Sequence, residues 1–230
     1  MEKLEMEMLR LNETWEERER FREFQGRNID VIPELLFSGR KPLSVADLMR
    51  RRIEVGEGKF SERVIAAWWD NEFDTCDGVI YHPDGKIKVV PSSEFFEMLS
   101  SKKYLKRYVK EQGSYLVDGA AKLTKYYEDI NGIEFSEENY PTDDEVLLAL
   151  VGNDINLLTS YREAIREQRE RKGLSRDNDK IYVDLDSTDN PEYQFCPAGR
   201  LFRVSDGERS RIFGNCYLDN DFGRLIGECI

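Results

Sequence analysis

A chain of 230 residues that is 40% apolar, 11% aromatic and 35% charged has the make-up of a folded globular protein able to bury its own core, which excludes a disordered polymer. Its formal net charge of −12 excludes a general nucleic-acid binder, because neutralising phosphates takes clustered cations, and leaves open an acidic surface offered to a basic partner. No window holds ~18 consecutive apolar residues and no apolar run follows Met1-Glu2-Lys3-Leu4-Glu5, so the expectation is a cytoplasmic protein without a membrane span or secretory signal. The four cysteines, Cys76, Cys196, Cys216 and Cys229, are scattered without a C-x-x-C pair, which suits reduced structural thiols.

In chain order, residues 2–25 read as one long amphipathic helix. Leu4, Met8, Leu11 and Trp15 fall at heptad spacing, and Gly26 supplies a stop. Two heptads are too few for a self-sufficient coiled coil, so this stripe is expected to dock on the core or to carry an interaction, either self-association or a protein partner. Residues 27–42, with Pro33, Gly39 and Pro42, read as an irregular connection. Ser44 and Asp47 form a capping-box pattern that opens a helix to about Val55, with Arg50, Arg51 and Arg52 in its last turns facing the dipole. A third helix follows Ser61 and buries Val64, Ile65, Trp68 and Trp69.

The period then changes to two. Val79-Ile80-Tyr81 and Ile87-Lys88-Val89-Val90 flank His82-Pro83-Asp84-Gly85, which predicts a β-hairpin over about 78–90. Residues 93–112 return to helical spacing, and Lys102 to Lys110 interleaves cations with Tyr104, Leu105, Tyr108 and Val109, an amphipathic helix with a wet basic face. Tyr115-Leu116-Val117 suggests a short strand and Leu123 to Ile130 a helix. Thr142 and Glu145 cap another helix, broken at Gly152-Asn153 and resumed from Ile155 to a stop at Gly173. Beyond it, strands at 181–183, 201–204, 211–213, 216–218 and 225–226 predict a small antiparallel meander.

The expected fold class is therefore α+β: a helix-rich N-terminal two-thirds with one inserted hairpin, then a C-terminal β meander. The expected divisions are an N-terminal helix over 1–26, a helical region with the hairpin over 27–175, and a β region over 176–230, the three joined or separate.

Chemistry-bearing residues offer little. His82 is the sole histidine and sits at a turn tip, a poor base for a preorganised triad, and multi-His metal sites are excluded. Asp184, Asp186 and Asn190 imitate the start of an EF-hand loop, but Asp189 stands where glycine is required and Phe195 where a bidentate glutamate is required. Asp70, Asp74, Asp77 and Asp84 with Lys86 carry the residue types of a metal-dependent nuclease, provided that they converge. Helices at 44–54 and 61–71 before a hairpin invite a winged-helix reading, which the acidic second helix opposes. No nucleotide, dinucleotide or common hydrolase motif is present, so no cofactor is expected. The sequence thus favours a non-enzymatic acidic protein acting through protein–protein contacts, as an adaptor, inhibitor or assembly component. The alternatives are a nuclease-like hydrolase and a winged-helix-like protein associated with nucleic acid.

Overall fold

The computed structural model describes residues 17, 19–91, 96, 115–116, 128–136, 138–175, 179–186, 198–206, 210–216 and 223–230. One mixed, ten-stranded sheet runs through them, with β1 (Phe21–Gln25), β10 (Arg224–Glu228), β3 (Phe73–Tyr81), β8 (Ala198–Asp206), β9 (Ser210–Cys216) and β7 (Ile181–Asp184) in that spatial order. Four short strands join off this path. β2 (Lys41–Pro42) pairs with β10, β4 (Ile87–Val90) with β3, β5 (Tyr115–Leu116) with β8, and β6 (Ile133–Phe135) with β4.

The central strand is β3. All nine of its residues are buried, because helices cover both of its faces. On one face lie α2 (Val45–Glu57), α3 (Glu62–Trp69), α4 (Asp143–Leu150) and α5 (Ile155–Arg171), packed on Val79, Tyr81, Phe202, Val204 and Ile212. On the other, α1 (Asn28–Phe37) lays Ile29, Ile32 and Leu35 against Cys76, Ile80, Leu201 and Leu225. The alternation of Val79 and Tyr81 to one layer with Ile80 to the other is the period-two pleat at work.

Local chemistry explains most helix ends. Ser44 Oγ accepts the Asp47 N–H at 3.0 Å while the Asp47 carboxylate accepts the Ser44 N–H at 3.3 Å, the reciprocal capping box read in the sequence. Thr142 and Glu145 repeat it on α4. The α4–α5 break falls at Gly152 and Asn153, both with positive φ, and α5 stops before Gly173 at φ +69°.

Several expectations give way. Phe21–Gln25 is a strand rather than the end of a helix, in antiparallel register with β10 from Phe21↔Glu228 to Gln25↔Arg224. Phe21 stacks edge-on against Trp68 at 5.0 Å, so tertiary pairing overrides the local 3.6-residue spacing. The rest of the predicted 2–25 helix apart from Glu17, Glu19 and Arg20, and with it Leu4, Met8, Leu11 and Trp15, lies outside the described residues, as do the 93–112 helix apart from Phe96 and most of 123–130.

Residues 28–37, expected to be irregular, form α1 with Pro33 inside it. Ile29, Ile32 and Leu35 bury one face of this helix, which offsets the hydrogen bond that Pro33 cannot donate. The hairpin is not an insertion: β3 begins at Phe73 and forms the middle of the sheet. Nor are the C-terminal strands a meander. β7 runs parallel to β9, β9 extends from Ser210 through Cys216 as one strand, and β10 leaves its sequence neighbours to lie between β1 and β3. Strands from both ends of the chain thus share one sheet.

A cleft at the fork of the sheet as candidate binding site

The strand pair β10 and β3 runs parallel and meets at Leu225↔Asp74. Beyond that point β10 turns to antiparallel pairing with β2, at Gly227↔Pro42 and Glu228↔Lys41. The sheet therefore forks, and the segment from β2 to the start of α2 fills the opening. On its other side β3 carries an irregularity: Asp74 pairs with Arg203 and Gly78 with Leu201, so four steps on β3 match two on β8. Such a bulge frees residues from the ladder and re-aims their side chains. Thr75, Cys76 and Asp77 are the residues freed. The Cys76 N–H goes to the Leu43 carbonyl at 2.9 Å, and the Thr75 hydroxyl donates to the Phe202 carbonyl at 2.9 Å.

A cleft of about 570 Å³ opens at this fork, a volume ordinary for a small-ligand site. Its apolar wall is Leu36, Pro42, Pro91 and Ile230, and its polar lining includes Arg40, Lys41, Ser44, Asp47, Cys76 and Asp77. Asp77 is 1% exposed, and its Oδ2 accepts the Val45 N–H at the first turn of α2, 2.6 Å away. Burial pushes its carboxyl up to about 7; the Val45 hydrogen bond opposes this and the Asp47 charge reinforces it. Burial likewise raises the Cys76 thiol well above its usual range, helped by Asp77 and Asp47, so it stays protonated and weakly nucleophilic at neutral pH. At the mouth, Lys41 Nζ sits 3.0 Å from Asp47 Oδ2. That bond raises the Lys41 pKa, and although burial works against the Asp47 charge, Lys41 and Ser44 hold its carboxyl below the usual value.

The residues singled out in the sequence are dispersed. Asp70 caps the end of α3 and pairs with Lys172. Asp74 is fully buried, takes Arg203 Nε at 2.8 Å and Nη2 at 3.1 Å, and also accepts the Arg224 N–H at 2.9 Å. Asp84 and Lys86 lie at the hairpin turn with His82, whose Nδ1 is 2.6 Å from Asp84 Oδ1. Asp74 and Asp84 stand near opposite ends of the nine-residue β3, and Asp77 alone of the five lines the cleft. Among the described residues, no group of three or more histidine, cysteine or acidic side chains is placed to hold a metal ion. Asp184 pairs with Arg211 at 3.2 Å, the Asp186 carbonyl accepts from the Tyr140 hydroxyl, and Asn190 lies outside the described residues. No described helix is long and apolar enough to cross a membrane.

Sequence reasoning also missed where the arginines go. Arg51 and Arg52 are not wet cations facing a helix end. Arg51 Nη2 meets Glu17 at 2.6 Å, and the other oxygen of Glu17 accepts the Trp68 indole N–H at 2.9 Å. Arg52, fully buried, bonds Asp206, the Tyr161 hydroxyl and the carbonyls of Trp68 and Asn71. Arg224 joins Glu23 to Asn71. These pairs tie α2, β1, β8 and β10 together, and Trp68 and Trp69 place one face of α3 in the core, leaving Glu62 and Arg63 exposed at its start.

No family model matches the chain, and no curated protein does. A solved structure, presented as the accommodation of massive sequence variation in Nanoarchaeota by the C-type lectin fold, is similar over 91% of this chain and 97% of its own, with a TM-score of 0.52 at 13% sequence identity. The chain accordingly has an α+β, C-type lectin-like fold.

Proposed function

We propose that this chain is a recognition protein that binds its ligand or partner on a C-type lectin-like frame and performs no chemistry of its own. The observation that carries this reading is the division of labour among its buried polar groups. Arg51, Arg52, Asp74, Arg203 and Arg224 stand in ion pairs that hold the frame, whereas Asp77, the buried carboxyl that lines the cleft at the fork, has no ion-pair partner among the described residues and is bonded only through Oδ2, to the Val45 N–H. A frame tied in this way tolerates change at its surface without losing its packing. The similar structure from Nanoarchaeota, described by its accommodation of massive sequence variation, supports the same use of the fold.

The acidic balance of the chain favours a basic partner, and contacts between proteins, with another molecule or a second copy, are the mode of action we infer. The stripe of Leu4, Met8, Leu11 and Trp15 is the segment proposed to carry such a contact. Light scattering on the full chain and on a variant with these four residues changed to serine tests it. A shift from oligomer to monomer supports the role, and a monomer in both cases removes self-association. The competing nuclease-like reading is tested by thermal melts with Mg²⁺, Mn²⁺ or Ca²⁺. An occupied catalytic metal site raises the midpoint with ion concentration, and the recognition reading predicts no such rise.

A further inference from the structure

Most polar groups that line the cleft are engaged within the protein. Lys41 is held by Asp47 at 3.0 Å, and Arg40 Nη1 donates to the carbonyls of Arg20 and Gly227 at 3.1 and 3.3 Å. Ser44 Oγ accepts the Asp47 N–H. Asp77 Oδ2 is taken by Val45, and its Oδ1, which makes no hydrogen bond among the described residues, is the oxygen left open where this otherwise buried side chain lines the cleft. A carboxylate oxygen open to a cleft with an apolar wall accepts from water or from a ligand, and a ligand that brings it a charged donor makes the stronger hydrogen bond.

We propose that the cleft binds an ammonium group carried on an unbranched aliphatic stem, with the ammonium on Asp77 Oδ1 and the stem along Leu36, Pro42 and Pro91. This rests on the recognition reading and names its ligand class. An ammonium is a compact point charge with three donors, which suits a single free oxygen. A guanidinium is a planar fork whose preferred partner is a carboxylate with both oxygens open, and here one is already bonded to Val45. An anion meets Asp47 and Asp77, while Lys41 and Arg40 are engaged elsewhere. The apolar wall solvates methylenes, which selects for a stem over a bare ammonium ion. Such a group comes either from a free alkylamine or from a lysine side chain of another polypeptide.

Isothermal titration of the full chain at pH 8, where Asp77 is ionised, decides. The probes are n-pentylammonium, Nα-acetyl-lysine methylamide, 1-pentanol and pentanoate. The proposal expects saturable one-to-one binding of an amine probe and no detectable binding of pentanol or pentanoate. It also expects at least tenfold weaker amine binding by Asp77→Asn, checked for its fold by circular dichroism. Leu36→Trp, which fills the apolar side and leaves Asp77 intact, weakens the amine as well. Preference for the free amine or for the lysyl probe identifies the source. Pentanol binding as tightly as the amine, or amine binding unchanged in Asp77→Asn, overturns the ammonium class while leaving a cleft that recognises ligands. No binding of any probe overturns the ammonium site and leaves the recognition reading, whose contacts are with proteins, to its own light-scattering test.

Discussion

The guanidinium of Arg52 on α2 and the carboxylate of Asp206 at the end of β8 form a buried ion pair across 154 positions of sequence. Tyr161 on α5 donates to the same carboxylate oxygen at 2.5 Å, so one oxygen fastens two helices to the sheet. Burial works against the Arg52 charge, but Asp206 and Tyr161 raise its pKa overall, and the Tyr161 hydroxyl is pushed upward by burial and by Asp206, which keeps it protonated as a donor.

Removing one partner of such a pair leaves the other charge buried and uncompensated. Arg52→Met is therefore expected to lose about 3–5 kcal/mol of stability in urea unfolding. The double variant Arg52→Met with Asp206→Asn is expected to lose less than the sum of the single changes. Strict additivity would show that the two groups are not coupled.

Asp77 sets a pH dependence. Its carboxyl titrates near 3.8 in the unfolded chain and near 7 in the folded one, so the folded state holds an extra proton between those values. Its contribution is therefore fully present below the unfolded value and declines as pH rises, until it is lost above about 7. Asp77→Asn removes that decline while keeping an acceptor for Val45. Relative to the native chain it should be near neutral at pH 4 and more stable at pH 8, by at most about 4 kcal/mol for a shift of about three units. Parallel urea curves at the two pH values check this, and a constant difference between the chains contradicts it.

Glu17 bridges Arg51 and the Trp68 indole at 2% exposure, which sets where the N-terminus can be cut. Deletion of residues 1–15 should leave a cooperative melt. Deletion of residues 1–26 removes this bridge and β1, and should give a chain without one. Glu17→Gln keeps the acceptor for Trp68 but not the charge opposite Arg51, and should cost about 3 kcal/mol.

The two capping boxes should be independent and modest. Ser44→Ala and Thr142→Ala are each expected to lower stability by about 1 kcal/mol, additively, since they cap different helices. Chemical denaturation of the three variants measures both statements.

Elements set by neighbours in the chain were legible in the sequence: both capping boxes, the turn at Asp84-Gly85 and the stop at Gly173 are local chemistry. Elements set by distant partners were not. Phe21 to Gln25 has the spacing of a helix and becomes a strand because β10, some 200 residues later, pairs with it. Pro33 and Gly39 carried the signals of a loop, and the apolar stripe of Ile29, Ile32 and Leu35 outweighed them once a sheet face was there to receive it. The cleft was least legible. Asp77 stood among the acidic candidates for a reason that does not hold, convergence with Asp70, Asp74 and Asp84. What distinguishes it is a bulge in β3 and the fork between β10 and β3, features of pairing rather than composition. The arginines at 50–52 posed a similar problem, since only a tertiary partner distinguishes a buried cation from a wet one.

Asp77 is the buried carboxyl at the cleft, bonded through one oxygen to Val45 and open through the other. A carboxyl-¹³C NMR titration of the folded chain, with Asp77→Asn to assign the resonance, measures this directly. The expected result is a midpoint near 7 that falls when an alkylammonium is added. A midpoint near 4, insensitive to the amine, would contradict it.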